Sequence, residues 1–135
     1  MTSGMGPFDL ATVRTIMGPQ GDATTKSLSP DFYAELDREF DGFAGHTLVS
    51  RHSFDTPWGS WERHPKGDEL VYLLEGDTDF LLRHEGMETT VGVKEPGTYI
   101  IVPKGAWHTA SPRKPTTMLF FTPGEGTEHA EDPKP

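Results

Sequence analysis

Glu62, His64, Glu69 and His108 are the residues of this chain whose types and spacing could hold a metal ion. Glu62 and His64 lie two apart, so in an extended strand they project from one face while Trp61 and Arg63 project from the other. Pro65-Lys66-Gly67 is a turn, after which Glu69 can re-enter the same cavity from the next strand. Pro103-Lys104-Gly105 is a second tight turn, and His108 points back from a third strand. Imidazole nitrogen and carboxylate oxygen suit divalent first-row metals. Two His and one carboxylate also make a facial set that leaves positions open for dioxygen or substrate. Asp68 sits beside Glu69, but strand alternation and the six-residue gap to Gly76 select Glu69 and put Asp68 in solvent.

Glu62 has two readings. As a fourth ligand it gives a two-His, two-Glu site, whose oxygen donors favour iron(II) or manganese(II), with zinc(II) and nickel(II) as alternatives. Off the metal, it is placed to act as a general base, which makes it the candidate catalytic residue.

The elements that must position these side chains are short strands. A chain of 135 residues with 33% hydrophobic content, 15 Gly and 12 Pro suits many strands joined by turns in one domain. Residues 1–28 read as an N-terminal arm with a short strand near 11–17. Ser29-Pro30-Asp31 then looks like a helix start, with Ser29 as N-cap, Pro30 at the first helical position and Asp31 as the acid of the first turn. Phe32, Leu36 and Phe40 form an apolar stripe over about residues 30–40, and Gly42 sits where a C-terminal cap would. From His46 onward the period is two, and strands are expected at 46–54, 60–64, 69–74, 77–84, 88–93, 99–102, 108–110 and 116–122. About eight such strands make an all-β sandwich or barrel of the jelly-roll kind. Residues 29–123 would hold helix and barrel, and 124–135 a mobile acidic tail.

The spacing of the two segments resembles the paired motifs of the cupin superfamily. The second motif is matched from Gly97 through Pro103, Gly105 and His108, and departs where Pro112 stands in place of its Asn. The first is matched at His64, Glu69 and Gly76. It departs where Glu62 replaces its first His, and Gly59 lies too close to serve as its opening glycine. The resemblance spans about residues 45–123 and implies the double-stranded β-helix (jelly-roll) barrel. It also implies a homodimer, with residues 8–17 as the candidate segment for exchange between subunits. A hidden sheet edge gives a physical motive for such exchange.

Several classes are disfavoured. Without cysteine there are no disulfides and no thiolate chemistry. A formal charge of −9 with no local cluster of Lys and Arg argues against nucleic acid. No apolar run approaches a membrane span, and no basic flank precedes an apolar stretch at the N-terminus. A cytoplasmic location is therefore expected. The leading functional expectation is a metal-dependent oxygenase of the iron(II) type acting on a small organic molecule. A metal-dependent isomerase or lyase, and a non-catalytic binding cupin, are the alternatives. His52, Tyr72, Phe80, Met118 and Phe120 are expected to wall the substrate pocket. Arg51, Arg63 and Arg83 are the candidate carboxylate anchors, although strand phase puts Arg63 outside.

Overall fold

A computed structural model of the protein describes residues 4–135. The arm forms a hairpin: β1 (Val13–Met17) pairs antiparallel with β2 (Ala23–Ser27) and also with β3 (Thr47–Phe54) of the same chain, Ile16 opposite Leu48. The hairpin's second strand was not expected, because Ala-Thr-Thr-Lys-Ser has no apolar alternation. It is an exposed edge held by backbone pairing, and Lys26 ties it to Glu35 and Glu39 of the helix.

That helix, α1 (Phe32–Glu39), buries Phe32 and Leu36 against Ile16, Phe43 and Leu48. It starts later than the sequence suggests. Asp31 occupies the cap position without a side-chain bond, and the Ser29 hydroxyl instead donates to Glu35 at 2.5 Å. Gly42 falls in a 3₁₀ turn, Asp41–Phe43, with φ of 64°.

β4 (Trp61–Arg63), β5 (Glu69–His84), β6 (Met87–Val93), β7 (Tyr99–Val102), β8 (Trp107–Thr122) and β9 (Glu128–Ala130) complete the sheet, all paired antiparallel. β5 and β8 were each expected as two short strands and are instead long and bent. The first half of β5 pairs with β7 and the second half of β8, which also pairs with β3. Its second half pairs with β6 and the first half of β8. The register shifts between Leu73 and Thr78 mark the bend. Gly76 makes it feasible: φ is +121°, and a Cβ there would lie 2.5 Å from the Thr116 Cα. Across the bend, Arg113 grips Asp77 at 3.0 Å and Asp79 at 2.6 Å.

The bend curls the sheet around a core of Val71, Leu73, Phe80, Val93, Val102, Ala110, Met118 and Phe120. Fully burying each of the larger side chains stabilises by about 1.5–3 kcal/mol. The fold is a jelly roll carrying one helix, as the sequence pattern implies. Among the described residues, no helix is long and apolar enough to cross a membrane.

The C-terminal segment does not hang free. β9 pairs with β4, Glu62 opposite His129 and Arg63 opposite Glu128. Arg63 closes this pairing with an ion pair to Glu128 at 3.0 Å. The acidic, Pro-ended composition gave no apolar alternation from which to expect a strand.

Candidate metal centre

Two backbone bonds hold the metal-motif turns together. Gly105 N–H donates to the His64 carbonyl at 3.0 Å, and Lys104 N–H donates to the Asp68 carboxylate at 2.7 Å. Asp68 is thus an exposed loop tie, which leaves Glu69, 1% exposed, facing inward. β4 brings in Glu62 and, at its end, His64; β8 brings in His108 directly opposite Glu62.

The four side chains converge. His64 Nε2 lies 3.5 Å from Glu62 Oε1 and 3.4 Å from Glu69 Oε2, while His108 Nε2 lies 3.4 Å from Glu62 Oε1 and 3.2 Å from Glu69 Oε1. One potential ligand atom from each residue falls within 4.8 Å of all the others. Donors bonded to one ion at about 2.0–2.2 Å stand roughly 3.0–3.5 Å apart at octahedral to tetrahedral angles, so the spacing fits a shared cation. His64 Nε2, His108 Nε2 and Glu69 Oε1 are buried and make no hydrogen bond of adequate geometry despite their proximity. Leaving buried polar atoms unpaired is costly, and one cation would satisfy all three.

Outer contacts aim these donors. The Thr127 hydroxyl donates to the Gly124 carbonyl at 2.9 Å, so its oxygen accepts from His64 Nδ1–H, also at 2.9 Å. His108 Nδ1 faces the Ala106 carbonyl at 3.4 Å, which can only accept. In both neutral rings, Nε2 then presents its lone pair to the cluster. The Thr122 hydroxyl donates to Glu69 Oε2 at 2.5 Å and fixes that carboxylate.

Without an ion, the charges compensate through protons. Burial alone would lower the imidazoles, but the facing Glu62 and Glu69 carboxylates outweigh it and raise His64 and His108 each to about 9. Burial alone would raise the carboxylates, yet the facing His108 and His64 rings, 3.2–3.5 Å away, hold Glu69 down at about 2 and Glu62 well below its usual range. A divalent ion can therefore replace two imidazolium protons with no net change of charge.

The cluster opens onto a cavity of about 740 Å³. Glu62, His64 and Glu69 line one part of it, and Phe54, Trp58 and Phe120 supply apolar wall. Of the residues expected to wall this pocket, His52 and Phe120 do so, their rings 5.3 Å apart. Tyr72, Phe80 and Met118 do not. Tyr72 has the opposite strand parity to Glu69 and so lies on the other face of β5. Phe80 and Met118 are fully buried in the core, Phe80 behind Trp58 at 5.7 Å. Trp58 takes the wall position, its ring 6.1 Å from His108.

Three features escaped the sequence reading. Thr127 and His129 reach the site from the C-terminal segment, His129 Nε2 standing 3.4 Å from Glu62 Oε2. Arg14 is the buried arginine. Of the arginines proposed as anchors, Arg51 is exposed, Arg63 stacks on Trp107 at 4.7 Å, and Arg83 stacks on Trp61 at 4.2 Å. The available signal was parity: Arg14 alternates with Ile16 on the inner face of β1.

No family model matches the sequence, and no curated protein matches it. Solved structures do. Oxalate decarboxylase from Bacillus subtilis, studied for its Mn(II) centres, superposes with a TM-score of 0.53 at 15% identity, over 63% of this chain and 23% of that one. Oxalate oxidase gives 0.51 at 15%, over 60% and 44%. The chain has the cupin fold. Pac13, a nucleoside dehydratase, matches this chain at a TM-score of 0.52 and 17% identity, over 63% of this chain and 68% of its own. The chain thus spans under a quarter of the decarboxylase and under half of the oxidase, and at these identities the likeness is one of fold.

Proposed function

We propose that this cupin is a metal-dependent oxygenase acting on a small organic molecule, with one iron(II) or manganese(II) ion held by His64, Glu69 and His108 together with Glu62. The observation that carries the reading is the trio of buried, unpartnered donor atoms at the edge of a substrate-sized cavity. Such an ion would supply Lewis acidity and, as iron(II), one-electron chemistry toward dioxygen. The chain's own contribution is orientation and exclusion of water. Thr127, Thr122 and the Ala106 carbonyl lock the donors, and Trp58 and Phe120 cover the site with apolar surface.

Glu62 favours a second reading, a lyase or isomerase. Its side chain is 27% exposed where the other three are at most 4% exposed, and it lines the cavity. Its Oε2 points at His129, itself 63% exposed. A carboxylate so placed can take a substrate proton at Oε2 and exchange it with solvent through the neighbouring imidazole.

The deciding experiment is metal content of anaerobically purified protein, followed by oxygen uptake with a panel of small organic molecules. About one equivalent of iron or manganese per chain, lost in His64→Ala, with substrate-dependent oxygen consumption, supports the oxygenase. Turnover without dioxygen selects the lyase or isomerase, and ligand binding without turnover a binding cupin. Failure to load any divalent metal would sink all the metal-dependent readings.

A further inference from the structure

Arg14 is a buried cation without a carboxylate. It is 6% exposed, and among the described residues no acidic group pairs with it. Its guanidinium stacks over Phe32 at 4.9 Å and Tyr33 at 5.7 Å, and its Nε is buried without a hydrogen-bond partner. Both remaining nitrogens are spent on neutral groups: Nη1 donates to the Tyr33 hydroxyl at 2.9 Å, and Nη2 to His52 Nε2 at 3.3 Å.

The direction of those two bonds matters, because arginine can only donate. Tyr33 accepts with its oxygen and keeps its own O–H to give. His52 accepts at Nε2 and must carry its proton on Nδ1. Burial and the adjacent Arg14 charge lower the His52 pKa, which keeps that ring neutral. Tyr33 and His52 both line the cavity onto which the metal cluster opens. Asp37 lines it as well but makes no ion pair with Arg14. A buried positive charge is thus relayed to the cavity through two neutral donors with protons left to give.

We infer that Arg14, Tyr33 and His52 form an oxyanion-binding pole of the cavity, and that the ligand is a small organic carboxylate with an apolar body. The carboxylate completes the unpaired Arg14 charge through Tyr33 O–H and His52 Nδ1–H, the walls of Phe54, Trp58 and Phe120 take the body, and the other end faces the metal cluster. An isolated buried cation is expensive unless something anionic compensates it, which gives the ligand class its physical motive. This deepens the proposed function and rests on it only for what happens at the metal end.

The test is calorimetric titration of the full chain, metal-loaded and chelator-treated, with benzoate, phenylacetate and cyclohexanecarboxylate. Each is compared with its neutral amide, and inorganic phosphate is run alongside. At least one acid should bind, with its amide weaker by about tenfold, the value of a charge-assisted hydrogen bond. Arg14→Gln should weaken the acid by about tenfold and Tyr33→Phe by about threefold, each more than it weakens the amide, with metal content unchanged. Should Arg14→Gln fail to fold, Tyr33→Phe at an exposed position and His52→Phe decide the matter. Persistence of the acid preference after chelation separates this pole from the metal site, so loss of the metal reading would leave it standing. Equal binding of acids and amides, unchanged acid affinity in the variants, or no acid binding at millimolar concentration would overturn it. Phosphate binding more tightly than every acid would overturn the carboxylate assignment.

Discussion

Glu62 stands directly across the β4–β8 ladder from His108, its Oε1 3.4 Å from the ring Nε2, and on its other side faces His129 of β9. One carboxylate thus touches both the buried cluster and the solvent-exposed edge. Its two oxygens have different neighbours, and that asymmetry separates holding a metal from moving a proton.

Glu62→Gln is expected to retain about one metal ion per chain, because His64, Glu69 and His108 keep their buried donors. Turnover should fall about 10²–10⁴-fold, the range for loss of a general base. Metal content and kcat measured on one preparation check this. Loss of the ion together with turnover would make Glu62 a required ligand before anything else.

The metal-free protein should have an opposite pH response to the loaded one. His64 and His108 rise from 6.5 to about 9 on folding, so their contribution to stability is full below pH 6.5 and is lost as pH climbs through 9. Glu69 falls from 4.5 to about 2, so its contribution is full above pH 4.5 and is lost as pH drops toward 2. Stability of the chelator-treated protein should therefore peak between pH 4.5 and 6.5. Metal binding needs the deprotonated rings, so the added stability from metal should grow from pH 6.5 toward 9. Urea midpoints across pH, with and without metal, test both slopes. A flat metal-free profile would mean the imidazoles are not charged.

Thr127→Val should weaken metal binding by about 10–100-fold, as loss of a group that orients a ligating His does. Its hydroxyl is the acceptor that keeps the His64 proton on Nδ1 and frees Nε2. The fold should persist, since Thr127 lies outside the core clusters. Competition with a metal-sensitive dye measures the affinity, and Thr127→Ser should recover most of it. Failure of Thr127→Ser to recover would point to the methyl group and packing instead.

Where residue type and local period agree, the sequence was a sufficient guide. Strand parity paired Glu62 with His64, two turns brought Glu69 and His108 back, and the apolar period of the helix picked out Phe32 and Leu36. What it missed depends on contacts far apart in the chain. Glu75-Gly76-Asp77 reads as a turn, and only the proximity of Thr116 shows it to be a bend within one strand. β2 and β9 are polar edges held by backbone pairing and ion pairs, so hydrophobic alternation cannot reveal them. Arg14 was overlooked because an arginine in a polar arm reads as solvated until its neighbours are known.

Gly76 is where fold and site are coupled, and Gly76→Ala tests that coupling. The residue sits at φ of +121°, where a side chain is strained, and the added methyl would meet Thr116 at 2.4 Å from Oγ1 and 2.5 Å from Cα. One of these neighbours is backbone of β8, so the clash cannot be relieved by a side-chain rotation. The substitution should destabilise by well over about 1 kcal/mol, since the backbone conformation and the space both oppose it. The first half of β5, which begins at Glu69, would lose its register with the second half of β8, whose first half carries His108. Metal affinity should then fall together with the melting temperature, although no ligand is altered. A variant that melts early yet binds metal as tightly as the parent would show that the hinge and the cluster are independent. In that case the turns tied by Gly105 to His64 and by Lys104 to Asp68 would alone hold the ligand geometry.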